Sequence, residues 1–189
     1  MTANHTDDLQ LLARIKAGES RAFDQLFLKY YPNLLHFCRS LLPYPSDEGE
    51  DVVLEVFQQV WRHREKMSIH SSLSAFLYAS VKNRVYDYRR KQHPGRTNMP
   101  LEEIPGELIA NRECPDQVLT YKELSENLEK LIKLLPERMQ LIFRMNREDQ
   151  LTYQEIADLL EISVNSVKTQ MYRAIKFLKE SYQFDNSAG

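Results

Sequence analysis

The side chains with the clearest chemical potential lie along one side of a predicted helix, between residues 163 and 179. They are Ser163, Asn165, Ser166, Lys168, Thr169, Tyr172 and Arg173. Short hydrogen-bonding groups stand nearer the helix start and long cations further along, and residues 164–179 hold four bases and no acid. Short polar groups reach base edges in a DNA major groove, whereas cations reach the flanking phosphates. The predicted chemistry is therefore non-covalent recognition of duplex DNA.

Two short amphipathic helices separated by a three-residue turn must hold this face. Thr152 and Glu155 have the S/T-x-x-E spacing of a capping box, which predicts a helix start at 152. Ser163 is placed to cap the second helix. The apolar stripe of that helix comprises Val164, Val167, Met171, Ile175 and Leu178. This arrangement is typical of a helix-turn-helix, but an ordinary helical hairpin with an exposed polar face would show the same stripe.

Charge is unevenly distributed along the chain, although the formal net charge is only -2. Residues 82–96 contain six bases and one acid, whereas residues 44–55 contain five acids and no base. Together with the basic segment at 164–179, this pattern predicts two contacts with anionic partners and one with a cationic partner. Solvated helix faces are the plain alternative for each patch.

Composition predicts an all-α fold. The 189 residues are 42% apolar and 10% aromatic, as in folded chains, and include only 5 glycines. Strands are not predicted, because no sustained Val/Ile/Thr alternation occurs. We expect two small helical domains joined by a flexible linker, with the helix-turn-helix in the C-terminal domain.

The linker is predicted at 93–117, which holds four prolines, two glycines and five acids without a clear period. The two domains are therefore expected at 1–92 and 118–189. Periodicity predicts earlier helices at 7–17, 20–41, 48–65, 72–92, 118–135 and 136–148. Ser20 is predicted to cap the second helix and Pro32 to kink or break it, while Pro136 suits a first helical turn.

Enzymatic, metal-binding and membrane functions are not predicted. The five histidines stand at 5, 36, 63, 70 and 93 without ligand spacing, and no phosphate loop or nucleophile motif is present. Cys38 and Cys114 are too far apart in sequence for a metal site or a disulfide framework, and Cys38 is expected to be a buried free thiol. No apolar run approaches the ~20 residues of a membrane span. We expect a cytoplasmic protein with no cofactor, no small-molecule substrate and no membrane insertion.

Residues 135–180 resemble region 4 of bacterial sigma factors, specifically the small extracytoplasmic-function (ECF) type. The matches are the Leu-Pro-Glu opening, the Tyr-Gln-Glu-Ile-Ala segment and the Ser-Val-x-Ser-Val-Lys-x-x-x-x-Arg-Ala recognition helix. The resemblance implies that this helix binds the −35 element of a promoter. The family often has glycine where Glu161 stands, so Glu161 is predicted to take a less comfortable backbone conformation, or the turn to differ slightly. Response regulators carry a similar helix-turn-helix.

Residues 20–92 resemble sigma region 2. Within them, the segment DVVLEVFQQVW at 51–61 is similar to the one that docks on the clamp helices of RNA polymerase. The resemblance implies polymerase clamp contacts by Asp51, Glu55 and Gln58. An acidic helix face suits a basic partner of this kind, although a solvated acidic face is the plain alternative.

Residues 72–92 resemble the helix that recognises and opens the promoter −10 element. The resemblance implies −10 contacts by Lys82, Asn83, Tyr86, Arg89 and Arg90. Cationic, amide and aromatic groups suit phosphate contacts and an unstacked base. Tyr78 and Tyr86 could equally be packing residues. Ala79 and Ser80 stand where primary sigma factors have tandem tryptophans, which implies that this chain melts fewer promoters.

Over about residues 8–182, the resemblance implies a promoter-specificity subunit without catalytic residues. Such a subunit binds bacterial core RNA polymerase and promoter DNA, and is controlled by an anti-sigma factor. It also implies that the linker threads toward the polymerase active-site channel. The alternative is a free-standing transcriptional regulator that binds operator DNA as a dimer, although the sequence has no heptad seam for dimerisation.

Overall fold

The computed structural model of the chain describes residues 3–42, 48–67, 69, 72–92 and 121–187. Within these residues every regular element is a helix, which confirms the predicted all-α fold. The helices of the described part are α1 (Ala3–Lys16), α2 (Ser20–Leu41), α3 (Gly49–His63), α4 (Leu73–Gln92), α5 (Tyr121–Lys133), α6 (Glu137–Arg147), α7 (Tyr153–Leu160) and α8 (Val164–Ser187). Contacts group α1–α4 into one compact unit and α5–α8 into a second. The predicted linker at 93–117 lies outside the described residues.

The start of α2 corrects the predicted cap. Ser20 is the first residue of the helix, and Glu19 occupies the cap position without a side-chain cap hydrogen bond. The Glu19 carboxylate instead accepts a hydrogen bond from Nε of Arg14 in α1. The Glu19 carboxylate is therefore bonded to α1 and does not cap α2.

Pro32 does not break α2, which runs without interruption from Ser20 to Leu41. Pro32 itself is exposed, whereas Tyr30 and Leu34 on either side of it are buried in the core. Packing on both sides of the proline outweighs the one backbone hydrogen bond that it removes. The predicted break at Pro32 was therefore wrong, because this packing involves other helices, whereas the alternative of a kink stays a prediction.

A glycine and a proline lie next to two further helix termini. Gly18 follows α1 with a φ of 86°, a left-handed conformation that glycine adopts at little steric cost. α6 begins at Glu137, so Pro136 lies one residue before the first helical turn for which it was predicted.

The first unit is built around aromatic side chains from α2, α3 and α4. Phe57 of α3 packs against Phe23 and Phe27 of α2, with ring centroids 6.1 and 4.9 Å apart. Phe37 of α2 meets Tyr78 of α4 edge-on at 5.0 Å. Tyr78 is fully buried, so of the two predicted roles the structure favours packing.

The carboxylate of Asp8 ties α1 to α2. It accepts hydrogen bonds from the Tyr30 hydroxyl at 2.6 Å and from Lys29 Nζ at 2.7 Å. Burial, reinforced by the hydrogen bond to Asp8, raises the pKa of Tyr30 above its ordinary value.

Cys38 is a buried free thiol, as predicted. Burial raises the pKa of Cys38 to about 12, so the thiol is protonated near neutral pH.

The stability of the chain should fall once the pH passes the ordinary tyrosine pKa of about 10. Above that pH, the unfolded chain loses a Tyr30 proton that the folded chain retains, so rising pH favours unfolding by up to about 1.4 kcal/mol per pH unit. Tyr30→Phe has no such proton and should lose stability less steeply. Urea unfolding between about pH 9 and 11 measures both slopes. Equal slopes for the two chains would contradict the prediction.

The second unit packs α6 and α7 against α8, and α5 joins them. One buried cluster in this unit comprises Leu135, Met139 and Ala174, with Phe143 and Phe177 packed beside it. The predicted apolar stripe of α8 is confirmed at Val167, Met171 and Leu178, which are buried. Arg144 of α6 pairs with Glu129 of α5, so charge as well as apolar contact joins these two helices.

The turn between α7 and α8 has the strained backbone that its sequence predicts. Glu161 ends α7 with φ 56° and ψ 42°, which is the left-handed conformation. A side chain in that conformation costs about 1–2 kcal/mol, because its Cβ crowds the following carbonyl oxygen. Glu161 therefore adopts a conformation that glycine takes at less steric cost.

Glu161→Gly should stabilise the chain by about 0.5–1 kcal/mol, because relief of the strain exceeds the extra backbone entropy of glycine. The matched control is Lys176→Gly, at an exposed position inside α8. There the same new residue should destabilise by about 0.5–1 kcal/mol. Free energies of unfolding in urea measure both changes. A loss of stability in both variants would contradict the strain at Glu161.

Candidate nucleic-acid interfaces

Side-chain caps position both helices of the C-terminal pair. Thr152 Oγ1 accepts a hydrogen bond from the Glu155 amide at 3.2 Å, and the Thr152 amide donates to Glu155 Oε2 at 2.7 Å. This confirms the predicted capping box at the start of α7. Ser163 Oγ accepts from the Ser166 amide at 3.0 Å, so Ser163 caps α8 as predicted. The capping box fixes the start of α7. The Ser163 cap fixes the start of α8 and hence which side chains surround its N-terminal turn.

All seven side chains predicted for the −35 interface are exposed along the α7–α8 turn and α8. Three of them already use their hydroxyl groups within the helix. The Ser163 and Ser166 hydroxyls lie 2.8 Å apart, and Thr169 Oγ1 donates to the Asn165 carbonyl at 2.9 Å. By contrast, the Lys168 and Arg173 side chains form no ion pair or hydrogen bond within the part of the chain that the structure describes. The exposed face of α8 therefore presents unpaired cations, beside a tyrosine, Tyr172, that is 68% exposed.

The five residues predicted for the −10 interface lie on α4. The apolar residues at helical spacing on its inner side are buried at Leu73, Leu77, Val81 and Val85, whereas Tyr88 is half-buried. Asn83 and Arg90 are exposed, while Lys82, Tyr86 and Arg89 are half-buried. Lys82 Nζ lies 5.7 Å from the centroid of the Tyr86 ring, a cation–π distance. Arg90 donates to Asp87 Oδ1 at 2.6 Å, an exposed pair that water screens. This surface of α4 combines cationic, amide and aromatic groups.

The three residues predicted for the polymerase clamp do not share one environment. Asp51 and Gln58 of α3 are exposed. Glu55 is half-buried and bonded to Arg84 of α4, with Arg84 Nε donating to Glu55 Oε2 at 2.7 Å. Sequence reasoning did not assign Arg84 a role. The two residues are 29 positions apart on different helices, so no local spacing relates them.

A groove of about 280 Å³ lies between α3 and α4. Its lining includes Val56, Val60 and Phe76, which provide apolar walls, and the charged pair Glu55 and Arg84. Asn83 and Ser80 of α4 and Gln59 of α3 also line it. The groove therefore joins part of the predicted clamp surface to part of the predicted −10 surface.

Comparison with protein families assigns both units. Residues 26–94 match sigma-70 region 2, and residues 119–178 match sigma-70 region 4. The two matches together cover more than half of the chain and follow the order of the two regions predicted from sequence. The chain belongs to the sigma-70 family.

Relatives of this sigma factor match nearly its whole length. The RNA polymerase sigma-H factor of Pseudomonas aeruginosa is 24% identical over 182 residues, covering 93% of this chain and 94% of the relative. A solved structure of CnrH in complex with the cytosolic domain of CnrY is 20% identical and covers 94% of this chain and 98% of that one, with a TM-score of 0.45. The ECF RNA polymerase sigma-E factor of Escherichia coli is 25% identical over 191 residues, covering 97% of each chain. This sigma factor belongs to the ECF group.

Its family function is promoter-directed transcription initiation with RNA polymerase. The alternative of a free-standing dimeric regulator is not favoured, because region 2 is matched in addition to the helix-turn-helix. Sigma factors are initiation factors and not enzymes. Among the described residues, no helix is long and apolar enough to cross a membrane, and no group of His, Cys, Asp or Glu could hold a metal ion.

Proposed function

We propose that this sigma factor reads a −35 element with α8 and a −10 element with α4, while both units bind core RNA polymerase. The observation that carries the proposal is the occurrence, in one chain, of region 2 followed by region 4, each with a polar helix face exposed. The proposed domains are 1–92 and 118–189. The chain has no catalytic residue or cofactor in this proposal, because the polymerase itself performs nucleotidyl transfer.

The proposed −35 contacts combine base readout with phosphate binding. The residues are Ser163, Asn165, Ser166, Lys168, Thr169, Tyr172 and Arg173. Asn165 lies in the first turn of α8, where a side chain reaches base edges when a recognition helix enters the major groove. Lys168 and Arg173 follow further along and suit phosphates, because each is an exposed cation without a partner among the described residues.

The proposed −10 contacts come from Lys82, Asn83, Tyr86, Arg89 and Arg90. Opening the duplex requires cations for the backbone and aromatic or amide groups for an unstacked base. Lys82 and Tyr86 lie next to each other, so one small area of α4 offers both a cation and an aromatic face. Because Ala79 and Ser80 replace the tandem tryptophans of primary sigma factors, we expect opening at few promoters and only with close sequence matches.

Asp51, Glu55 and Gln58 are the proposed contacts with the basic clamp helices of the polymerase. Exposed acids steer association with a basic partner more than they add affinity. We further propose that the chain acts in the cytoplasm, where an anti-sigma factor holds it away from the polymerase. The linker at 93–117 is proposed to run toward the polymerase active-site channel.

In vitro transcription tests this function directly. The purified chain, bacterial core RNA polymerase and a genomic template are combined, and the transcripts are sequenced. We expect a small set of start sites that share −35 and −10 sequences and that are absent when either protein is omitted. Failure to initiate with core enzyme, in the absence of inhibitor, would overturn the proposal.

Arg173→Ala and Asn83→Ala should produce different defects. Losing a phosphate contact at Arg173 should weaken binding to a duplex −35 element about 5–10-fold and lower the salt slope by about one. Losing the Asn83 amide should leave the salt slope unchanged and reduce permanganate reactivity of the −10 thymines. Both variants are assayed as complexes with core polymerase. Identical defects in both assays would contradict the division between α8 and α4.

A further inference from the structure

We infer that Glu55 is a positioning residue for the −10 helix, acting through Arg84, and that the acid of α3 left open to the polymerase is Asp51. The inference rests on the proposed function and reassigns one of its residues. Arg84 of α4 and Glu55 of α3 form a bidentate ion pair. Nε of Arg84 donates to Oε2 of Glu55 at 2.7 Å, and a terminal guanidinium nitrogen of Arg84 donates to Oε1 of Glu55.

The geometry of this pair suits orientation better than stability. Two parallel hydrogen bonds between a planar guanidinium and a planar carboxylate restrict both side chains to one relative orientation. The Arg84 and Glu55 side chains are 34% and 38% exposed, so solvent screens much of their attraction. Loss of the pair should therefore alter the orientation of the polar surface of α4 while changing the free energy of unfolding little.

The pair lies where the packed part of α4 ends. Val81 and Val85 are buried, but no described residue of α4 beyond Val85 is buried. Arg89 and Arg90 belong to this last, less packed part of the helix, and Asn83 directly precedes Arg84. A restraint at Arg84 consequently limits rotation of the segment that carries the proposed −10 contacts.

Asp51 differs from Glu55 in what it offers to a partner. It is exposed, lies about one helical turn before Glu55 on α3, and forms no ion pair within the described residues. The charge of Glu55 is already compensated by Arg84, so a basic polymerase helix would have to break that pair to use it. Asp51 requires no such exchange.

A charge swap tests the inference with the full chain and core polymerase. The template is a promoter found by sequencing wild-type transcripts. The variants are Glu55→Arg, Arg84→Glu and the double variant Glu55→Arg/Arg84→Glu. At saturating core enzyme, each single variant should reduce permanganate reactivity of the −10 thymines about 3–5-fold, the scale of a lost, partly exposed ion pair. The double variant should recover most of it, because the swapped pair restores the restraint.

Two matched variants separate orientation from added charge. Gln59→Arg introduces the same new side chain into the same groove, one turn after Glu55, and should open the promoter like the wild type. Asp51→Arg should shift the core-enzyme titration to higher concentration by a larger factor than Glu55→Arg, because Glu55 is already paired with Arg84. Urea unfolding midpoints should be alike for all variants, because the ion pair is partly exposed.

Two results would overturn the inference while leaving the proposed function intact. One is that the wild-type chain opens the promoter, whereas the double variant is as defective in opening as the single variants. The other is a Glu55→Arg chain whose only defect is weaker binding to core enzyme. A wild-type chain that opens no promoter with core polymerase would instead overturn the proposed function, and the inference with it.

Discussion

Core RNA polymerase should raise the affinity of this sigma factor for promoter DNA by about 100-fold or more. In the proposed function each unit offers one helix to one short DNA element, so the free chain should gain little from either contact alone. When both units are held on the same polymerase, the second contact forms at a high effective concentration, and two weak interactions act as one strong one.

Gel-shift titrations at one fixed salt concentration measure this effect, since phosphate contacts make every affinity depend on salt. The comparison uses promoter duplex with the free chain, with core enzyme alone and with both. A duplex of the same length without the promoter elements is the control, and core enzyme should not increase binding to it to the same extent. Equal affinity for the promoter with and without core enzyme would contradict the prediction and favour a free-standing regulator.

Val167→Asp should unfold the helix-turn-helix and abolish −35 recognition. Val167 lies on the inner side of α8 and is 0% exposed. A carboxylate at this position would be shielded from water and buried among apolar side chains. A buried unpaired charge costs about 3–5 kcal/mol, which is comparable with the whole stability of a small helical unit. The cap at Ser163 and the outer face of α8 would be lost together, although no residue proposed to contact DNA had been changed.

Circular dichroism and urea unfolding measure the loss of helix, and binding to a duplex −35 element measures the loss of recognition. Lys179→Asp is the matched control, because it places the same carboxylate on the exposed side of α8. Its free energy of unfolding should change by no more than about 0.5 kcal/mol. A Val167→Asp chain that folds and binds the −35 duplex normally would show that α8 is not held through this buried contact.

The exposed face of α8 illustrates how an interface can be predicted without a structure. Its polar residues alternate with an apolar stripe at helical spacing, so burial of the stripe leaves the polar set in solvent. Val167, Met171 and Leu178 are buried, and Lys168, Tyr172 and Arg173 are exposed, in agreement with that pattern. Periodicity also identified the inner stripe of α4.

Interactions between residues close in the chain were determined by sequence alone. The Thr152–Glu155 capping box and the Ser163 cap each involve positions within about one helical turn. At that range, covalent geometry limits which atoms can meet, so residue types at a fixed spacing predicted these two caps correctly, although the same reasoning misplaced the cap of α2 at Ser20. The all-α fold followed for the same reason, from spacing repeated along each helix.

Only the tertiary structure decided which groups from different helices meet. It paired Glu55 with Arg84 across α3 and α4, joined Asp8 to Tyr30, and occupied Glu19 with Arg14 so that α2 has no side-chain cap. Such contacts depend on how whole helices pack, which is governed by the sum of many apolar contacts and carries no fixed sequence separation. The sequence therefore identified the exposed polar faces that are proposed to bind DNA, whereas packing determined which of their charged side chains are already bonded.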